Sequence, residues 1–205
     1  MLNNVWNNRV SGFLMMGHLL LKIVFKKTRS KVSTLLFKTG VAKCGSMPNL
    51  LGGVNLRYPG LIYVGSRFVL GQGTSLSTEN IAPNRFVAGD DVTIGNNCAI
   101  DFTGGITIHD EAHVAHNVLV LTHDHGYDYK AKPVGKPLDI GQHAFVGSRS
   151  VILHNCNYIG KYAVVGVGSI VTKDVPDYAI VAGNPAKVIG FIQTNEIQKV
   201  DNINQ

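Results

Sequence analysis

From Val64 onward, aliphatic or small residues return every six positions: Val64, Leu70, Leu76, Ala82, Ala88, Ile94, Ile100 and Ile106. A two-residue slip resets the count to Ile108, Val114 and Val120. A longer break follows, then Ile140, Val146 and Ile152, and after one more slip Ile159, Val165 and Val171. The residue after the aliphatic one is repeatedly glycine, as at Gly65, Gly71, Gly89, Gly95, Gly141, Gly147, Gly160 and Gly166. The fifth slot is small, as at Thr74, Cys98, Ala112, Ala144, Ser150, Cys156, Ala163 and Ser169. A period of six fits neither a 3.6-residue helix nor a heptad. Short strands separated by glycine turns fit it. One unit makes one flat side of a coil, and three units close a triangular prism. Stacked coils then bury one another's aliphatic faces. The pattern predicts an all-β parallel β-helix over 54–205, preceded by a separate segment, 1–53.

The long break carries the candidate chemistry. A six-residue step from Val120 would put the next inward residue at 126, but the next clear one is Ile140. About fourteen residues, HDHGYDYKAKPVGK, are therefore expelled from the prism. Such a loop costs little core, because its ends stay close together. Long excursions in compact domains carry function. His123 and His125 stand at its root, and histidine exchanges protons near neutral pH. The same HxH pair on a strand puts both rings on one face, which suits Zn²⁺. His113, His116 and His143 are then further ligands on paper. Tyr127, Tyr129, Lys130 and Lys132 give the loop aromatic faces and positive charge.

Three segments, IGNNCAI, IGQHAFVGSRSVI and IGKYAVVGVGSIVTKDVPDYAIVAGNPAKVI, resemble the hexapeptide-repeat acyltransferases over about residues 54–192. The ending VTKDVPDYAIVAGNPAKVI is the most specific part and is similar to that of the sugar and polysaccharide O-acetyltransferases. The resemblance implies a left-handed parallel β-helix; the whole chain is expected to add an N-terminal helical segment, an extruded loop and a short C-terminal helix. It implies homotrimers with sites at subunit interfaces, acetyl-CoA as co-substrate and no metal. A loop histidine would be the general base. His125 better matches the family's spacing to an acid, here Asp128, and His123 is the second choice. Ser148 would lie near the thioester, and Gly166 and Gly168 would let the pantetheine chain lie flat. Thr172, Lys173 and Lys187 would meet the nucleotide end. Many relatives carry Trp where this chain has Phe145, so an aromatic surface remains without the indole N–H; the only Trp is Trp6. Phe145, Asn97, Asp101 and Tyr127 are the residues expected toward the acceptor. The γ-class carbonic anhydrases share the β-helix and bind zinc, but their histidine spacing is not evident.

Charge changes the picture at the front. Ten Lys or Arg and no acid precede Glu79, whereas nine basic and thirteen acidic residues follow. A basic front suits a polyanionic neighbour. Residues 13–25, FLMMGHLLLKIVF, are too few to span a bilayer, which needs about 20, and no secretory signal is evident. As a helix, His18, Lys22, Lys26 and Arg29 share one face, with Met16, Leu20, Ile23 and Val24 away from it. This pattern fits a helix resting on an anionic membrane or one packed on its own oligomer. Nucleic acid is not expected, because no aromatic platform is interleaved with the charges. Cys44, Cys98 and Cys156 have no CxxC spacing and read as small core residues. The expected activity is O-acetylation of a sugar hydroxyl in capsule, O-antigen or exopolysaccharide synthesis. The expected place is the cytoplasm or the inner membrane face. N-acetylation of a nucleotide-linked amino sugar and a non-catalytic scaffold are the competing readings.

Overall fold

The computed structural model describes residues 21, 24–25, 27–79, 84–128, 130–193 and 197. Three parallel sheets form the sides of a prism, here faces A, B and C. Successive strands visit the faces in turn, so each strand pairs with one a full coil away. Val64 pairs with Ala88 on face A, Leu70 with Ile94 on face B, and Leu76 with Ile100 on face C. Val64, Leu70, Leu76, Ile94, Ile100, Val114, Val120, Ile140, Val146, Ile152, Ile159, Val165 and Val171 are all buried. Cys98 and Cys156 are buried among them.

Two features of the spacing acquire a cause. Face A strands such as Ile106–Ile108 bury both end residues, so the two-residue slip is one strand pointing inward twice. The run through Ala82 is different. Face C holds Ser75–Ser77 and face A resumes at Phe86–Ala88, so Leu76 and Ala88, two hexads apart in the count, lie on successive faces. Equivalent corner residues are 24 apart across this coil, Ser66 to Asp90, and 20 apart across the next, Asp90 to Asp110. Ala82 itself lies outside the described residues. The corner places Glu79 beside the extruded loop.

Corner backbone is satisfied by side chains one coil along. Asp90 accepts from Ser66 N at 2.6 Å, Asn96 from Gln72 N at 2.8 Å, and His116 Nδ1 from Asn96 N at 2.8 Å.

The first coil starts at Lys43–Cys44, which pairs with Tyr63–Val64, ahead of the boundary expected at 54. A helix over residues 27–40 lies across the open end of this coil. Phe37 is buried and stacks on Phe68, with ring centroids 6.0 Å apart. Leu50 N donates to Thr34 Oγ1 at 3.2 Å. At the other end, Ala179–Gly183 closes face B and folds back as an antiparallel hairpin with Ala186–Phe191. The short C-terminal helix expected beyond it falls largely outside the described residues, as do His18, Lys22, Lys26 and Trp6.

Candidate active site

The corner between faces C and A holds the loop histidines. His123–Asp124 pairs antiparallel with Val134–Gly135, so the expelled loop is a hairpin standing off the prism. Lys136 N donates to Thr122 O at 2.8 Å and closes its root. Gly104 lies directly beneath, where a Cβ would collide with backbone of Lys136 and Thr122.

Asp101 ends the strand Ala99–Asp101 and turns inward, at 8% exposure. Oδ1 accepts from Thr103 Oγ1 at 2.6 Å. Oδ2 accepts from Thr122 N at 3.0 Å, Thr122 Oγ1 at 2.9 Å and His123 Nδ1 at 2.8 Å. Burial alone would push this carboxyl up, but the bonds from Thr103, His123 and Thr122 outweigh it and hold it below its ordinary range. An ionised carboxylate only accepts, so the proton on Nδ1 belongs to His123. In the neutral ring, Nε2 then carries the lone pair. Asp101 was expected to face an acceptor; its carboxylate is instead turned to His123.

His125 is held differently. Its Nδ1 donates to the carbonyl of Ala131 at 2.7 Å, within the loop itself. The two rings meet edge to face, with centroids 5.0 Å apart. Glu79 faces both, with Oε1 3.8 Å from His123 Nε2 and Oε2 3.4 Å from His125 Nε2. Tyr127 is fully exposed at the loop tip, and Tyr129 lies outside the described residues.

The other expected site residues lie elsewhere on the prism. Asn97 and Ser148 sit at the corner between faces B and C. Gly166 and Gly168 lie one coil further along that edge, where Gly168 N donates to Ser148 O at 2.9 Å. Gly166 has a packing reason of its own, since a Cβ there would stand 3.0 Å from that of Ala182. Gly168 has φ of 70° and open space around it. Phe145 is on face B, 40% exposed, stacked on His113 at 5.5 Å. Thr172, Lys173 and Lys187 come together in a cleft of about 330 Å³ between the last coil and the hairpin.

One chain therefore does not bring the histidines and the B–C edge together. Nor does it bring His113, His116 and His143 together as a zinc set. His113 is on face B, His116 is committed at the B–C corner, and His143 stacks on Tyr162 at the A–B corner. Among the described residues, Glu79, His123 and His125 form the only such donor cluster. The spacing of the repeat pointed to the loop but not to Glu79, Thr103 or Thr122. Their only sequence signal is polar residues at the end of face C strands.

The family pattern described as "Hexapeptide repeat of succinyl-transferase" matches residues 87–122 and 137–173. The chain is 48% identical over 61 residues to dTDP-3-amino-3,6-dideoxy-alpha-D-galactopyranose 3-N-acetyltransferase of Aneurinibacillus thermoaerophilus, covering 29% of this chain and 31% of that protein. It is 34% identical over 124 residues to galactoside O-acetyltransferase of Escherichia coli, covering 56% and 61%. The chain thus spans less than two thirds of either relative. Its fold is similar to that of AntD, an N-acyltransferase from Bacillus cereus solved with dTDP-4-amino-4,6-dideoxyglucose and coenzyme A. There the TM-score is 0.71 at 20% identity, over 83% of this chain and 94% of that one. With the six-residue repeat folded as stacked three-sided coils, these matches make the chain similar to the hexapeptide-repeat acyltransferases.

Proposed function

We propose that the protein transfers an acetyl group from acetyl-CoA to a sugar hydroxyl of a glycan or lipid-linked sugar, with His123 as general base. The observation that carries the mechanism is the Asp101–His123 pair. Nε2 of His123 takes the hydroxyl proton as the oxygen attacks the thioester carbonyl. Asp101 fixes the tautomer and stabilises the imidazolium, and the proton then passes to the departing thiolate. The loop spacing favoured His125; the buried carboxylate partner favours His123. Turnover is measured as free thiol released from acetyl-CoA against a panel of sugars, nucleotide sugars and acidic oligosaccharides. His123→Ala is expected to lose about 10²–10⁴-fold, with a much smaller loss in His125→Ala. Equal turnover in His123→Ala and wild type would remove the assignment. Acceptance of amino sugars on a nucleotide but of no hydroxyl would move the protein to the N-acetylating reading, which the dTDP-amino-sugar relative supports.

The coenzyme in this reading lies along the B–C edge, past Ser148, Gly166 and Gly168, with Thr172, Lys173 and Lys187 toward its phosphates. That edge and the histidines are at different corners, so the reading needs a second subunit. Face B presents His113, Phe145, Val164 and Ile180 outward, and face C presents Ala99, Leu119, Val151 and Ile170. Both flank the B–C edge and are more apolar than the Tyr63, Val87, Thr107, Asp139 row of face A. A homotrimer built on faces B and C closes the site.

The helix over 27–40 supports peripheral membrane contact. No described helix is long and apolar enough to cross a membrane. With Phe37 turned to the coils, Leu21, Val24, Phe25 and Val32 of the helical segment are each at least half exposed. Lys27, Lys31 and Lys38 run along one flank of that stripe. An apolar stripe edged with lysines suits an anionic interface.

A further inference from the structure

Both loop histidines have Nδ1 committed to an acceptor, His123 to Asp101 at 2.8 Å and His125 to the Ala131 carbonyl at 2.7 Å. Neither acceptor can donate, so both neutral rings carry their lone pairs on Nε2. Those two atoms converge on one carboxylate. Nε2 of His123 is 3.8 Å from Oε1 of Glu79, and Nε2 of His125 is 3.4 Å from Oε2. Three acceptors aimed at one another make no hydrogen bonds among themselves; together they attract a cation.

We propose that Glu79, His123 and His125 form a binding site for a divalent transition-metal ion of the Zn²⁺ class, which blocks the base when bound. Two imidazoles and a carboxylate suit Zn²⁺ and leave its fourth position open. Donors about 2.0–2.1 Å from a tetrahedral ion stand roughly 3.3 Å apart. The Glu79–His125 spacing is already close to that, and all three donor atoms lie within 4.8 Å of one another. The rings stand at 85° to each other, so the nitrogens approach from different directions. Asp101 and Ala131 supply the outer hydrogen bonds that orient ligand histidines and raise their basicity. Glu79 and His125 are 47% and 26% exposed, so solvent reaches the site and small side-chain rotations bring the donors together. Magnesium and calcium prefer all-oxygen shells and are poor competitors here.

Binding stands on this geometry alone. The blocking effect rests on the transferase reading, because the ion takes the Nε2 lone pair that the base needs. The test uses the full chain stripped of metal, titrated with Co²⁺ by visible absorption and then with Zn²⁺ in competition. One ion per chain with a four-coordinate Co²⁺ spectrum is expected. Glu79→Gln and His125→Ala are each expected to weaken binding by about tenfold or more. Because His125→Ala also removes the loop's internal bond to Ala131, Tyr127→Ala is the control in the same loop and should bind as wild type. Zn²⁺ binding no tighter than Mg²⁺, or unchanged in both donor variants, overturns the site. Zn²⁺ inhibition reversed by chelator, weaker in Glu79→Gln, is expected in the turnover assay. Turnover indifferent to bound Zn²⁺ overturns the blocking role. Binding without turnover under any condition sinks the transferase reading and leaves the metal site standing.

Discussion

Asp101 shows how much one buried carboxylate can organise. It accepts from Thr103, Thr122 and His123, and these bonds hold its carboxyl below the ordinary range against the opposing effect of burial. A depressed folded pKa stabilises the protein above the unfolded value, about 3.9 for Asp, and that contribution is lost as pH falls through the folded value. Asp101→Asn is therefore expected to be less stable than wild type at pH 7 by about 1–3 kcal/mol. The gap should narrow as pH falls below about 4. Denaturant melts of both proteins from pH 7 to pH 3 check this, and a gap independent of pH would show that the carboxylate's charge is not what matters. Asp101 was legible as a polar residue near the loop, but its partners were not. Thr103 and Thr122 stand two and twenty-one positions away, and only the coil brings them to one point.

The extruded loop was readable as an element because it broke a count. Its attachment was not. A repeat position 126 left unfilled says that residues leave the prism, while the hairpin of His123–Asp124 with Val134–Gly135 depends on backbone pairing outside the periodic part. Gly104 is where loop and coil press together. Gly104→Ala would force Lys136 and Thr122 backbone apart, and overpacking of this kind costs about 1–3 kcal/mol. Since a misplacement of about 1 Å can cost roughly 10²-fold in rate, turnover should fall by more than stability alone accounts for. Gly60→Ala, where a Cβ would meet nothing within 4 Å, is the matched control and should change stability by less than about 0.5 kcal/mol. Wild-type turnover in Gly104→Ala would mean that the loop root tolerates displacement. The N-terminal helix is the second element with two sides. Val24→Asp with Val32→Asp should abolish cosedimentation with phosphatidylglycerol vesicles, and wild-type binding should weaken with salt and vanish on pure phosphatidylcholine. Equal binding to both lipids would remove the electrostatic part of the reading.

At the scale of the whole molecule, the prism separates what the chemistry must join. The histidines stand at the C–A corner and Ser148 at the B–C corner, so the site proposed above draws on two copies of the chain. His123→Ala and Ser148→Trp should each be inactive alone. Refolded together in equal amounts, they should recover activity at about a quarter of the sites by random mixing around a symmetric ring. No recovery, with trimers present by light scattering, would place the whole site within one chain. In the proposed trimer, parallel subunits would present their exposed apolar stripes in one direction, and several weak contacts would act together on a flat surface.

The sequence by itself determined the coil. A six-residue spacing of aliphatic residues, with glycine or small residues in fixed slots, admits one kind of stacking, because each inward side chain must meet its equivalent one coil away. It also located the loop and its two histidines. Tertiary structure decided which histidine has a carboxylate beneath it, that Glu79 faces both, and that face A resumes at Phe86–Ala88 after Ser75–Ser77 of face C. Those facts depend on residues one or two coils apart becoming neighbours at the prism's edges, 22 positions for Asp101 and His123 and 44 for Glu79 and His123, and on corner lengths that a regular hydrophobic spacing can conceal.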